Sequence, residues 1–179
     1  MGEWKNALKG TDVLINLTGK SVDCRYTEEN KKTIISSRVN SIEVIEKAFK
    51  EIVEAPKLWI QATTATIYRD EYESPNDEYS TQFGEGFSVR VAKKWEETFE
   101  KITLKNIRKV TMRITIVMGK NGGAFPVLSK MTSRFAGGKQ GDGKQMVSWI
   151  HMTDVCRAID WLIEHDEISG PINMTAPDP

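Results

Sequence analysis

The sequence holds little with which to bind a metal or close a disulfide framework. Its two cysteines, Cys24 and Cys156, lie far apart, no Cys-x-x-Cys pair occurs, and there are only two histidines. That argues against a disulfide scaffold and against a structural zinc site. An excess of one charge is missing too: 25 Lys and Arg stand against 25 Asp and Glu. The chain therefore has no electrostatic footprint for nucleic acid. No apolar run approaches the ~20 residues that span a bilayer, and the N-terminus shows no signal-peptide pattern. Internal repeats and low-complexity linkers are absent. What these absences leave is a soluble protein of a reducing compartment, the cytoplasm, with no membrane or nucleic-acid partner. A length of 179 residues suits one domain, or a large piece of a bigger protein.

What the sequence does have is alternation. Residues 58–69, Leu-Trp-Ile-Gln-Ala-Thr-Thr-Ala-Thr-Ile-Tyr-Arg, begin apolar after Pro56 and end in hydroxyls. A buried parallel strand looks like this at its carboxyl end, where open α/β sheets place their ligands. Thr63, Thr64, Thr66 and Tyr68 then project into or beside a crevice; the alternative is that the threonines satisfy loop backbone. Residues 12–19, Asp-Val-Leu-Ile-Asn-Leu-Thr-Gly, read as a strand buried on both faces. Within it, Asn16 either ties neighbouring strands together or contacts a ligand. Residues 110–119 read as a third strand. Between them, Val39, Ile42, Ile45, Phe49, Ile52 and Val53 line one side of a helix from about residue 35 to 53. Phe87, Val91, Trp95, Phe99 and Ile102 line a second helix, with Lys93, Lys94, Glu96 and Glu97 on its solvated face. Strand, helix, strand, helix, strand implies a parallel sheet with right-handed connections.

Shorter pieces flank this core. Trp4, Ala7 and Leu8 have helical spacing, and Thr27-Glu-Glu-Asn30 opens a short helix. Residues 70–85 form an acidic loop, long enough to be a lid or an insertion, with a solvated excursion as the plainer reading. Residues 125–135 read as a short helix. The glycine-rich run 137–143 lacks the Lys-Ser/Thr and helix of a Walker loop and reads as a flexible turn. Residues 146–151 form a strand, and Thr153 or Asp154 caps a helix to about residue 164 that buries Val155, Ala158, Ile159, Leu162 and Ile163. Residues 170–175 form a last strand.

The landmarks Asp12-Val-Leu-Ile-Asn-Leu-Thr-Gly19, Thr63-Thr-Ala-Thr-Ile-Tyr68, Arg113-Ile-Thr-Ile-Val-Met-Gly119 and Gly141-Asp-Gly-Lys-Gln-Met-Val-Ser-Trp-Ile-His-Met-Thr-Asp154 occur in this order along the chain. Together they resemble the extended and atypical short-chain dehydrogenase/reductase superfamily. They are most similar to its bacterial sugar-nucleotide-epimerase-like subfamily, which sometimes carries a cell-division-inhibitor label. Ser37-Arg38 and Trp95-Glu96 fit that subfamily as well. The resemblance covers essentially the whole chain. It implies an α/β, Rossmann-like, doubly wound and mostly parallel sheet, with a small C-terminal substrate-side region. Residues 1–120 would be a partial dinucleotide-binding core, and residues 121–179 would complete the same compact unit. Members of the family begin with a Gly-x-x-Gly-x-x-Gly turn that holds the pyrophosphate at a helix N-terminus. No such fingerprint stands before Trp4, so the chain reads as an N-terminally truncated fragment. Most affinity for NAD(P), the cofactor of the complete family protein, is expected to be gone from it.

The resemblance also assigns a site. Asn16, Leu17, Thr18, Gly19, Thr63, Arg113, Thr115 and Ile116 fall at cofactor-facing positions, with Ile114 beside them. Thr64 takes the place of the hydroxyl that positions a substrate carbonyl oxygen. The family's proton-carrying Tyr-x-x-x-Lys pair falls on Ser88 and Ala92, neither of which can do that chemistry. Tyr68 is the candidate that reaches the same crevice, whereas Lys93 faces elsewhere on its helix. His151 is expected to make a structural hydrogen bond. The arginine that many sugar-nucleotide epimerases carry before that histidine is replaced here by Val147 and Ser148. Two functions from different classes follow: an NAD(P)-binding epimerase or oxidoreductase acting on a small molecule, or a binding module, or fragment, without the reaction. With the first strand missing, residues 12–17 would form an unpaired apolar edge through which the chain self-associates.

Overall fold

The computed structural model describes residues 2–139 and 141–179. Met1, and Gln140 of the glycine-rich turn, lie outside the described residues. Among the described residues, seven strands and four α-helices follow one another along the chain. They are β1 (Val13–Asn16), α1 (Glu28–Glu51), β2 (Leu58–Thr64), α2 (Phe87–Glu100), β3 (Arg108–Ile114), β4 (Ile116–Gly119), β5 (Gly122–Gly123), α3 (Ala124–Ser133), β6 (Trp149–His151), α4 (Met152–Glu164) and β7 (Gly170–Met174). The main sheet runs β1-β2-β3-β7, and every pair in it is parallel. The three apolar runs of the sequence therefore lie side by side and point the same way. A smaller sheet, β5-β4-β6, hangs from the end of β3.

Alternation along the strands explains the two layers. Leu58, Ile60 and Ala62 of β2, with Val110 and Met112 of β3, face Ile150, Val155 and Leu162 of β6 and α4. Trp59 points the other way and packs with Ile42, Ile45 and Phe49 of α1 and with Trp95 and Phe99 of α2. Side chains two apart share a face, so one strand feeds both cores. The Trp59 ring sits 5.3 Å from that of Phe49 and 4.9 Å from that of Phe99, tying both helices to the sheet.

Helix ends are held by side chains. The Thr27 hydroxyl accepts the Asn30 N–H at the start of α1, an N-cap. Two neighbours at the start of β3 serve two helix carboxyl ends. Lys109 Nζ donates to the carbonyls of Phe99, Glu100 and Ile102 after α2. Arg108 donates to those of Leu162, His165 and Ile168 after α4. A cation at that end of a helix answers both the open carbonyls and the helix dipole.

Several expectations are corrected by this architecture. The run 110–119 is not one strand. It breaks at Thr115, whose N–H and hydroxyl are both bound to Met174 O, and the chain changes sheet there. β1 is not buried on both faces: it is the edge of the sheet, and Ile15 is 39% exposed. The first long helix starts at residue 28 rather than about 35, so Ile34 is fully buried while Val53, past its end, is 94% exposed. Ile163 faces outward on α4. Glu3–Leu8 is a 3-10 helix with no fully buried residue, of which Leu8 packs against the core, and the last two strands are shorter than the runs that suggested them. α4 is capped by His151 rather than Thr153 or Asp154; His151 Nδ1 accepts the Thr153 N–H at 3.2 Å, the structural hydrogen bond expected of it. No helix among the described residues is long and apolar enough to cross a membrane.

Candidate functional site

In register, Asn16 stands beside Gln61, and Thr64 beside Ile114. The residues that end β1, β2 and β3 thus meet along one rim of the sheet, the end at which open parallel sheets bind ligands. Leu17, Thr18 and Gly19 follow β1, Thr64 ends β2 with Thr66 in the turn after it, and Thr115 and Ile116 lie at the β3–β4 break. Two apolar side chains are presented to solvent at this rim, Leu17 at 66% exposure and Ile116 at 45%. The Thr64 hydroxyl lies 2.8 Å from that of Thr66 and accepts the Thr66 N–H. This local turn keeps Thr64 Oγ1 at the strand tip rather than in the ladder.

The residues nominated from sequence divide into two groups. Leu17, Thr18, Gly19, Thr64 and Ile116 stand at the surface of the rim. Asn16, Thr63 and Arg113 are buried behind it, and their polar groups are engaged within the protein. Asn16 Nδ2 donates to Gln61 Oε1 (2.9 Å) and to Ser41 Oγ (3.1 Å), while its Oδ1 accepts the N–H and hydroxyl of Thr18. Asn16 therefore ties β1, β2 and α1 together and sets the conformation of the tip that follows. Thr115 is likewise committed to Met174 O.

Behind Thr64 lies an ion pair. Arg113 donates from Nε and Nη2 to Glu96 of α2, the closest contact being 2.7 Å, and both side chains are 6% exposed. Glu96 Oε1 also lies 2.9 Å from the Thr63 hydroxyl. Burial opposes the Arg113 charge, but the hydrogen bonds to Glu96 and Tyr68 outweigh it and hold the guanidinium above its ordinary range. Glu96 does not lie on the solvated face that its charged neighbours predict for it; it is buried. Val89, Ala92, Glu96 and Phe99, spaced three and four apart, form one buried stripe, and an acid within an apolar stripe is the signal that marks it.

Tyr68 belongs to the same network. Its hydroxyl accepts from Arg113 Nη1 at 2.7 Å and lies 2.8 Å from Asn173 Oδ1 and 2.9 Å from Asp77 O, to one of which it donates. Asn173 in turn donates its N–H to Glu78 and its Nδ2 to Asn76 O. The acidic loop is thus tied down at its middle, not merely solvated. Its far end returns by a bridge between Tyr68 and Phe83. Gly84 passes so close there that a Cβ would sit 2.9 Å from Tyr68 O. Gln61, Asn173 and Glu78 were not anticipated from the sequence, because each acts through a partner remote along the chain.

On α2, Ser88 is exposed and Ala92 is fully buried, so the two positions hold no acid–base pair. Lys93 lies over the Phe83 ring at 5.3 Å. A cavity of about 550 Å³ opens at the opposite, amino end of the strands, lined by Asp12, Lys57, Asn106, Arg108 and Asp166. It is not part of the rim.

The family description "NAD dependent epimerase/dehydratase family" matches residues 2–174. An epimerase family protein of Bacillus subtilis, YfhF, is 38% identical over 168 residues, 94% of this chain and 55% of its own length. The chloroplastic SDR39U1 homolog of Arabidopsis thaliana is 34% identical over 179 residues, 99% of this chain and 51% of its own length. The chain thus spans little more than half the length of these curated relatives. The crystal structure of human SDR39U1 with NADPH superposes with a TM-score of 0.87 at 27% identity, covering 96% of this chain and 59% of that one. A UDP-glucuronic acid 4-epimerase from Bacillus cereus in complex with NAD superposes at 0.78 with 17% identity, covering 99% of this chain and 57% of that one, a likeness of fold alone.

Proposed function

The chain belongs to the NAD dependent epimerase/dehydratase family, and on that premise we propose that the protein it represents binds an NAD(P) dinucleotide across the β1–β3 rim and turns over a small carbonyl or hydroxyl substrate there. The observation that carries this reading is the rim itself, where three parallel strands end side by side and the two exposed apolar residues, Leu17 after β1 and Ile116 after β3, come from the strands on either side of the one that ends in Thr64. Such a surface suits a flat ring with a polar edge. Bound there, a nicotinamide supplies or accepts a hydride.

On this reading the residues divide into those that touch the ligand and those that support them. Leu17, Thr18, Gly19 and Ile116 contact the dinucleotide. Thr64 Oγ1 donates to the substrate oxygen and orients it. Asn16, Thr63, Arg113 and Thr115 act from behind, fixing the three tips at their mutual spacing. The Tyr68 hydroxyl, already shared among Arg113, Asn173 and Asp77, holds the acidic loop. A second reading, binding without turnover, is supported by Ser88 and Ala92, the positions to which the family resemblance assigns the proton carriers: an exposed serine and a buried alanine form no acid–base pair.

Titrating the complete protein with NADPH and NADH, then assaying a panel of carbonyl substrates, separates these readings. Saturable binding with turnover is expected, and Thr64→Val should lower kcat at least about tenfold with little change in dinucleotide affinity. Tyr68→Phe should leave turnover within a few fold but cost about 1–3 kcal/mol of stability, because Arg113 Nη1 loses its shorter hydrogen bond and keeps only the 3.4 Å one to Glu78 O. Binding with no turnover on any substrate establishes the second reading. Absence of binding to either dinucleotide defeats both.

A further inference from the structure

Two arginines of the sheet have an acid beside them: Arg113 has Glu96, and Arg108 has Asp166. Arg38, half-buried on the inner side of α1, makes no ion pair among the described residues. Its two hydrogen bonds both leave from Nη1 and end on carbonyls, Lys20 O at 3.1 Å and Ile34 O at 3.0 Å. Its Nε is buried with no hydrogen-bond partner. A charge drawn out of water without a counter-charge is costly, and a fold keeps one where something else supplies the anion.

The position of that charge says where the anion lies. The guanidinium stacks on Trp95, 4.7 Å from the ring, which fixes its plane. Its Cζ would be 3.1 Å from a Cβ on Gly19, so it presses directly against the tip of β1. Three residues before Trp95, on the same side of α2, is Ala92, which brings no charge of its own. The surroundings are basic as well. Lys31 and Arg90 lie 5.8 and 6.0 Å from the centre of the Phe87 ring, which Tyr26 meets edge-on. Glu28 is already paired with Lys31 at 2.8 Å.

We propose that Arg38 is an anion-binding residue of the rim, which takes a phosphate or carboxylate oxygen of the ligand on Nη2, the guanidinium nitrogen that is neither hydrogen-bonded among the described residues nor, like Nε, buried. The inference rests on the functional reading above only in assigning that anion to the dinucleotide or to its substrate. Burial holds the Arg38 guanidinium below its ordinary range, partly offset by Tyr26, which is the direction expected of a cation whose counter-ion arrives from outside.

The test uses the complete protein and its Arg38→Met and Arg38→Lys variants, titrated with inorganic phosphate against chloride of equal ionic strength, and with NADPH. Phosphate is expected to raise the thermal midpoint of the wild type beyond the chloride control. The shift should vanish in Arg38→Met and shrink in Arg38→Lys, which keeps the charge but loses the planar fork. If NADPH binds Arg38→Met ten or more times more weakly and phosphate competes with it, the anion is the dinucleotide's. If NADPH binds that variant normally while the phosphate effect is lost, the anion is the substrate's. A wild type that gains no more from phosphate than from chloride overturns the proposal, and so does an Arg38→Met variant that keeps the full shift. Should Arg38→Met fail to fold, the wild-type comparison and Arg38→Lys decide the matter. Failure of the wild type to bind NADPH removes the dinucleotide reading while leaving the phosphate result to judge Arg38.

Discussion

Arg113→Met is expected to destabilise the protein by about 3–5 kcal/mol, because it strands the Glu96 carboxylate in the interior. For a chain of this size that corresponds to a melting midpoint lower by roughly 10 °C. Glu96→Met should cost a similar amount by stranding the guanidinium instead. The double variant, with both charges gone, should cost less than either single change, since the expense lies in the unpaired ion rather than in the absence of the pair. Thermal or urea unfolding of the four proteins gives the coupling directly. If the two single losses simply add, the pair is not the buried, mutually dependent unit described here. The Arg113 shift also fixes a pH dependence. A guanidinium held above its ordinary value contributes stability that is complete below that value and is lost only at still more alkaline pH. A stability scan across neutrality should therefore show no step from Arg113. Hydrogen exchange around Asp77 and Glu78 should rise in Arg113→Met, since their segment loses a tether.

Trp59→Ala should cost about as much, roughly 3–5 kcal/mol, for a different reason. The ring is fully buried between Phe49 and Phe99, and its removal leaves a void that both α1 and α2 line. Trp59→Phe should cost less than half of that. It keeps most of the contact area, and it deletes an indole N–H that is buried without a partner. Denaturant midpoints for the two variants, with near-UV circular dichroism to follow the aromatic packing, provide the measurement. A loss under about 1 kcal/mol for Trp59→Ala would mean that the two helices do not share one packed layer.

How far the chain could be read in advance depends on how locally each feature is specified. The three parallel strands and the two crossover helices were legible, because alternation and the 3.6-residue period are written into consecutive residues. The break at Thr115 was not: residues 110–119 stay apolar and β-prone throughout, and only Met174, far along the chain, defines where the strand ends. Glu96 was misplaced for a related reason. A carboxylate next to Glu97 and Lys94 looks solvated until Arg113 supplies the charge that admits it to the interior. Asn16 was correctly singled out as needing partners, but which partners, Gln61 and Ser41, depended on the register between β1 and β2. Thr64 was legible as a strand tip, whereas the tether that gives Tyr68 its place required Asn173, one hundred and five residues later. Arg38 stood out by its neighbour Ser37 only through resemblance. Its lack of a counter-ion is a property of the folded molecule.

The change of sheet at Thr115 has a mechanical side. One unbroken peptide serves as the last rung-bearing segment of the large sheet and, a single residue later, as the central strand of the small one. The swivel between them is pinned by two bonds to one carbonyl, that of Met174. Ile116, the first residue beyond the swivel, is also the apolar side chain offered at the rim. A contact made at that side chain is therefore made with β4 itself, which pairs with β6, the strand that runs straight into α4.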